Sequence, residues 1–290
     1  MISIVIISKD EPSIDDTLTD VARQANELWE PSEIVVADAS DGRLDHIRLR
    51  HETEVRWIDF KQPPGVGVSI PHQRNAGVRA ARGEIVVFTD AGCRPEDGWL
   101  EGLVAPLLAD EQITVGLTLA TPGSSGLYDR GARQALESPY LKECSTINLA
   151  FGREAFNAVG GFDERFAYGS DVDFSWRLVD AGYRIRSVPD AVLRHDWGGW
   201  RRQLRRSYAY GRARVRLYQK HRRRLRNVLR DDPLLIVYPV FLAGLPLTVF
   251  FPLYPALLLV PAWRNRSNGA FRVLVDHLVY GIGVIAELVS

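Results

Sequence analysis

Between Glu84 and Pro95 the chain reads EIVVFTDAGCRP. The apolar, β-branched run Glu84–Thr89 has the character of a fully buried strand, and such strands belong to sheets covered by helices on both faces. The run ends in Asp90, then Ala91-Gly92, and Pro95 falls where a new helix is expected to begin. In open α/β sheets, ligands bind just beyond the carboxyl ends of the strands. Asp90, followed by two small residues that let a ligand come close, therefore stands where a metal, a ribose or a phosphate would be met.

The same arrangement recurs upstream. Ile2–Ser8 reads as a buried strand and runs into Ser8-Lys9-Asp10-Glu11. Glu33–Asp38 (EIVVAD) is a second strand that also ends in an aspartate, and Glu54–Phe60 is a third. Ser13–Trp29 places Ile14, Leu18, Val21, Ala22, Ala25 and Leu28 on one helical face. His72–Arg82 reads as a short helix with Arg74 and Asn75 near its start. Strands alternating with helices predict βαβ units and a Rossmann-like, mostly parallel sheet. Ser8, Glu11, Asp38 and Asp90 then share one edge of it. The segment SKDEPS after the first strand holds no glycine, which argues against dinucleotide and Walker-type sites. A nucleotide here is expected to be gripped by carboxylates at base and ribose, with its phosphates met by a metal or by arginines.

Formal net charge is zero, from 36 basic and 36 acidic residues, so no global polyelectrolyte partner is implied. Cys93 and Cys144 are the only cysteines, too few for a disulfide framework or a zinc cluster, and they suit a reducing compartment. Ile2–Ile7 is too short for a signal peptide, and Lys9-Asp10-Glu11 follows at once, so the catalytic part is expected in the cytosol.

The charges are nevertheless segregated. Trp200–Arg230 carries thirteen Lys and Arg, and Pro233–Trp263 carries no charge over 31 residues. A polybasic stretch beside an apolar one predicts a basic helix on anionic headgroups of the inner leaflet and a membrane segment after it. Nucleic acid, the other partner such a stretch suggests, is not expected. Pro239, Pro246, Pro252, Pro255 and Pro261 argue against one straight helix. With Arg201–Arg230 before the segment and Arg264, Arg266 and Arg272 after it, a bent or re-entrant hairpin with both ends cytoplasmic is expected. After a polar break at 265–269, Ala270–Ser290 reads as an interfacial or packed helix. The implied divisions are a catalytic domain at 1–199, a basic juxtamembrane helix at 200–232 and a membrane-associated region at 233–290.

Several motifs, in order and over roughly residues 1–230, resemble those of family 2 glycosyltransferases of the GT-A fold. Ser8-Lys9-Asp10-Glu11 stands where the family has a T-Y-N-E-like turn, and Ala37-Asp38-Ala39-Ser40 where it has D-D-G-S. Gln73-Arg74-Asn75-Ala76-Gly77 through Glu84 resembles the segment that precedes the family's D-x-D, here Asp90-Ala91-Gly92. Asn148–Phe151 and Gly160–Phe166 resemble its acceptor-side motif. Gly169-Ser170-Asp171-Val172-Asp173 resembles the G-E-D-x-D that holds its catalytic base, and Pro189–His195 a strand ending in a metal-facing histidine.

The resemblance implies inverting transfer of a sugar from a nucleotide-diphosphate donor to a glycan or lipid-linked hydroxyl at the cytoplasmic face of the cell membrane. It implies Asp171 as base, with Ser8, Glu11, Asp38, Arg74 and Asp90 at the donor. Asp90 and His195 would face a divalent metal, Mg2+ or Mn2+. Asn148, Gly161, Phe162, Asp173 and Trp197 would lie on the acceptor side. Two positions depart from the family. Gly92 removes the second carboxylate of the D-x-D, and Ser170 replaces a frequent Glu. These departures support a second reading, a non-catalytic nucleotide-sugar-binding scaffold; a membrane-tethered nucleic-acid binder is the third.

Overall fold

The expected alternation opens the chain: β1 (Ile2–Ser8), α1 (Ile14–Glu27), β2 (Ser32–Asp38), α2 (Asp45–Arg48), β3 (Val55–Asp59), α3 (Ile70–Ala80) and β4 (Ile85–Asp90). There follow β5 (Cys93–Pro95), α4 (Trp99–Leu108), β6 (Ile113–Ala120), α5 (Asp129–Ala135), β7 (Tyr140–Leu141), β8 (Leu149–Gly152), α6 (Arg153–Ala158), α7 (Ser170–Asp180) and β9 (Ile185–His195). These elements make up one unit, Met1–Asp196; a second unit, Trp197–Ser290, contains α8 (Trp200–Lys220), α9 (Val228–Asp231), α10 (Leu234–Ala243), α11 (Leu259–Arg264) and α12 (Ala270–Leu288). The structure is a computed structural model that describes residues 1–124, 126–265 and 269–290.

The sheet of the first unit runs β3-β2-β1-β4-β8-β6-β9-β5, with β7 beside β9. Its first four strands are parallel, as are β6 and β9. β8 is antiparallel to both its neighbours, as β5 and β7 are to β9. The expected mostly parallel sheet is therefore present but refined to a mixed one: six strands share one direction, and β5, β7 and β8 run against them. The reason is local: β8 enters between β4 and β6 from the edge where β4 finishes, Leu149 pairing Phe88, and no crossover helix returns the chain to the other end. A correction concerns Pro95, which ends an edge strand rather than starting a helix. Cys93–Pro95 is committed to pairing with Leu193–His195, and α4 begins only after Gly98. An edge strand tolerates proline because it has an unpaired side.

β1, β2 and β4 are apolar on both faces because helices cover both, and every residue of β1 is buried. Beside them Phe88, Phe151, Phe156, Phe162 and Phe174 form one aromatic cluster, tightest at Phe162–Phe174, whose ring centroids are 4.3 Å apart. Phe88 lies on β4 and Phe174 on α7, so the cluster ties the strand that ends in Asp90 to the helix that begins at Ser170.

In the second unit α8 packs along α12. Small residues permit the approach: a Cβ at Gly211 would lie 2.1 Å from the Tyr280 carbonyl oxygen, and one at Gly283 2.2 Å from that of Tyr208. Between the helices, buried Asp276 accepts from Gln203 Nε2 at 3.0 Å and from the Ser207 hydroxyl. Gly211→Val should therefore cost about 1–3 kcal/mol by forcing these backbones apart, seen as a lower midpoint in thermal unfolding of the full chain followed by far-UV circular dichroism.

The basic helix ends at Lys220 and does not run to residue 232; a 3-10 turn over Arg222–Asn227 and the short α9 follow. The apolar stretch is broken into α10, 3-10 turns at Leu245–Val249 and Tyr254–Leu258, and α11. Among the described residues no helix is long and apolar enough to cross a membrane, so the membrane segment expected after the basic helix is not a transmembrane helix. The prolines are the cause, since each removes a backbone donor and clashes with the preceding turn. The ten residues of α10 rise about 15 Å, half of a hydrocarbon core. Ala270–Leu288 is the packed helix rather than a surface one. Arg266, expected as part of the positive flank, and the rest of 266–268 in the polar break lie outside the described residues.

Candidate active site

Three parallel strands deliver polar groups to one edge. The register pairs Ser8 with Asp38 and Ile7 with Asp90. Asp38 is buried at the end of β2, where Ser40 Oγ donates to its Oδ1 at 2.6 Å. Burial lifts the Asp38 carboxyl above the usual aspartate range, and the bond from Ser40 only partly offsets this.

The start of α3 organises the edge. Gln73, Arg74 and Asn75 are all buried, and successive residues on a helix point about 100° apart. Each therefore reaches a different element. Gln73 Nε2 donates to the Ser8 carbonyl at 2.8 Å and fixes the end of β1. Arg74 grips Asp90 from one terminal nitrogen, at 3.2 and 3.4 Å from the two carboxylate oxygens. Its guanidinium lies 5.8 Å from the centre of the Phe162 ring, and its Nε is buried with no partner. Asn75 is bonded both ways to Phe162, donating to its carbonyl and accepting from its N–H at 2.9 Å each.

Asp171 is the second residue of α7 and is half-buried. Its Oδ1 accepts from the Val172 N–H at 2.9 Å. Burial raises its carboxyl above the usual range; the charge of Arg74 acts against that, and Glu143 reinforces it. Arg74 thus pairs with Asp90 and lies within electrostatic reach of Asp171, bringing the expected donor carboxylate and the expected base to one place.

Most of the residues expected on the acceptor side lie in the interior. Asn148 is consumed by three bonds, to the carbonyls of Leu117 and Ala191 at 3.1 Å and from Trp99 Nε1 at 2.8 Å. Phe162 is a member of the aromatic core. Asp173 is wholly buried and receives Arg177 Nε at 2.8 Å, while the same guanidinium donates to the carbonyls of Val159 and Gly161. Gly161 has φ +73°, and a Cβ there would lie 2.7 Å from Phe156 Cζ. Gly161, Phe162 and Asp173 belong to the packing that holds the 160–166 turn, while Asn148 ties β6, β9 and α4 together. Trp197 belongs to the second unit, where the Arg206 guanidinium lies 5.2 Å from its ring.

His195 closes β9 directly across from Cys93, with Nδ1 3.4 Å from the Cys93 sulfur. Burial pushes the Cys93 thiol far up, so it stays protonated. Among the described residues no group of three or more His, Cys, Asp and Glu is placed to hold a metal ion. Glu11 follows β1 in the turn beside Gly92.

Gln73, Asn75 and Arg177 are the positioning residues that motif reading left unassigned. For the first two a signal was present: three consecutive polar residues at the start of a helix that must cover a buried sheet. For Arg177 the i,i+4 spacing to Asp173 was a signal, whereas the Val159 and Gly161 carbonyls become its neighbours only on folding.

The family model described as Glycosyl transferase family 2 matches residues 3–163, and that of Glycosyl transferase family group 2 matches residues 143–262. The succinoglycan biosynthesis protein ExoA of Rhizobium meliloti is 30% identical over 288 residues, 89% of this chain and 86% of that protein. The pre-mycofactocin glycosyltransferase of Mycobacterium tuberculosis is 32% identical over 136 residues, 42% of this chain, and the match spans only 29% of that relative's length. Among solved structures, the mannosyltransferase PcManGT from Pyrobaculum calidifontis, in complex with GDP-Man and Mn2+, superposes with a TM-score of 0.72 over 99% of this chain and 86% of that one, at 19% identity. That likeness identifies the catalytic unit as a GT-A-like α/β fold.

Proposed function

Because the chain belongs to glycosyl transferase family 2, we propose that it moves a hexosyl group from a nucleotide-diphosphate sugar to a hydroxyl acceptor, with inversion. The observation that carries this reading is Arg74, which pairs with Asp90 on the carboxyl edge of the sheet and whose charge acts on Asp171. Transfer needs an acceptor hydroxyl relieved of its proton, a leaving diphosphate whose charge is met, and an anomeric carbon held in line with both. Asp171 takes the proton. A carboxyl lifted by burial is a stronger base than an ordinary aspartate, and the nearby arginine keeps it ionisable. Ser8 and Asp38 face the base or ribose, and Arg74 the base or phosphates.

The donor set fits a divalent cation that rides with the donor, Mg2+ or Mn2+. Such a cation takes one or two carboxylates and completes its shell with substrate phosphates and water, so a preassembled cluster of three protein ligands is not required. Asp90 would hold it, with His195, which pairs Cys93 three residues further on, as a further ligand. When bound, the cation supplies charge stabilisation for the departing diphosphate. The Mn2+ and GDP-Man of the archaeal mannosyltransferase support this choice. Of the glycan and lipid-linked acceptors, a glycan is the one that the name of the succinoglycan relative supports.

The reaction takes place at the cytoplasmic face of a membrane, and the chain is held there through Pro233–Trp263. The exposure of Val249, Phe250, Phe251, Leu253, Leu259 and Trp263 supports an apolar surround for this stretch, and the exposed Arg222, Arg223 and Arg226 support anionic headgroups beside it. Both ends of the stretch remain cytoplasmic, so a Ser290→Cys variant in intact cells should resist an impermeant thiol reagent; labelling from outside would contradict this topology.

A panel of UDP-, GDP- and dTDP-sugars screened for thermal stabilisation, followed by a transfer assay with the stabilising donor, tests the activity. Asp38→Ala should raise that donor's dissociation constant more than it lowers the single-turnover rate. A purely catalytic defect would remove Asp38 from the donor pocket.

A further inference from the structure

The carboxylate absent from position 92 has a neighbour in its place. Gly92 lies at φ +84°, and its N–H donates at 3.0 Å to Thr17 Oγ1, which in turn donates to the Cys93 carbonyl at 2.8 Å. This turn is therefore tied to α1 in a left-handed conformation that costs an L residue about 1–2 kcal/mol. A Cβ built on Gly92 would lie 3.7 Å from both Cγ and Cδ of Glu11 and 3.6 Å from Ser13 Oγ. These are ordinary van der Waals distances, so the Glu11 carboxyl group, carried on the β1–α1 turn, stands directly beside the place where a side chain at position 92 would begin.

Glu11 is also oriented. Its Oε1 accepts from the Ser13 hydroxyl and, at 3.4 Å, from the Ser13 N–H. Among the described residues nothing donates to Oε2. A second observation points to an incoming anion at this edge: the guanidinium that grips Asp90 is buried, and its Nε–H has no acceptor. A buried donor left unpaired is costly, and the charge of the same guanidinium favours an anion arriving at this edge.

Resting on the glycosyl-transfer reading above, we propose that Glu11 supplies the second carboxylate of the donor cation site, acting with Asp90 in place of a side chain at position 92. The two carboxylates come from different strand ends, and the donor diphosphate completes the shell, the arrangement Mg2+ and Mn2+ accept. Gly92 then is not a lost ligand. Glu11 places a carboxylate beside the position where that ligand would have stood.

The test measures Mn2+ binding to the purified full chain by electron paramagnetic resonance, with and without UDP or GDP. The wild-type chain should bind Mn2+ more tightly when its preferred nucleoside diphosphate is present. Glu11→Gln should weaken that diphosphate-dependent Mn2+ affinity at least about tenfold, while metal-free nucleotide affinity stays within about twofold of wild type. Glutamine keeps an oxygen for Ser13, so the ligand-free melting temperature should not change, which separates loss of a ligand from loss of the turn. An unaltered Mn2+ affinity in Glu11→Gln overturns the proposal and leaves the activity reading intact. An equal loss of metal-free nucleotide binding also overturns it, making Glu11 a direct nucleotide contact. Failure of the wild-type chain to bind any nucleoside diphosphate would overturn both readings.

Discussion

Asp171→Asn should lower kcat by at least about 100-fold, the usual scale for a general base, while the donor's dissociation constant stays close to wild type. Asparagine keeps the shape and the acceptor oxygen that meets the Val172 N–H, so the start of α7 is preserved and only the capacity to take a proton is lost. Stability separates this outcome from misfolding. Burial raises the folded-state value of Asp171, so keeping the group ionised costs stability at every pH above its unfolded value, and the cost disappears as pH falls below that value. The variant should therefore melt no lower than wild type at neutral pH, with any advantage closing toward acid pH. In the wild-type enzyme the same shift places the acidic limb of kcat/KM above that of an ordinary aspartate, with activity lost as pH falls through it. Near-normal transfer by Asp171→Asn would remove this residue from its role.

Why Asp171 was legible in the sequence and its surroundings were not follows from what local pattern encodes. Strand ends are written locally: an apolar β-branched run stopped by a carboxylate locates Asp38 and Asp90 on one edge, because parallel strands must finish together. The order of strands beyond β4 is written in no such run. β8 is four residues long, and its antiparallel pairing depends on which neighbours remain to be covered. The same limit applies to the acceptor side. Asn148, Phe162 and Asp173 sit in motifs that read as site residues, yet their positions in the fold are interior, where they fix the backbone that carries the site. Polar type and motif membership do not distinguish a group that touches substrate from one that holds the wall. The apolar stretch after residue 232 is the converse case. Composition marks it as lipid-seeking, whereas its prolines determine that no single helix runs through it.

That interior wall provides the largest expected effect on stability. Arg177→Met should cost about 3–5 kcal/mol in denaturant unfolding, the range for breaking a buried ion pair by removing one partner. Asp173 has no exposed side-chain surface, and the guanidinium facing it at 2.8 Å is four-fifths buried. Methionine fills similar volume but supplies no charge, so Asp173 would lose its cation in a setting where ionised groups are costly. The loss has a second part: the Val159 and Gly161 carbonyls would lose the donors that now hold them. A domain stabilised by about 5–15 kcal/mol cannot absorb this without a marked shift in midpoint. The double variant Asp173→Leu with Arg177→Met should be less damaged than the sum of the two single variants, because removing both charges leaves neither stranded. Arg177→Lys retains the charge but lacks the fork that spans Asp173 and two carbonyls, so it should recover only part of the loss. An Arg177→Met variant within about 1 kcal/mol of wild type would mean that the pair behaves as an exposed one and that the 160–166 turn is held by the Asn75–Phe162 bonds and the aromatic cluster instead.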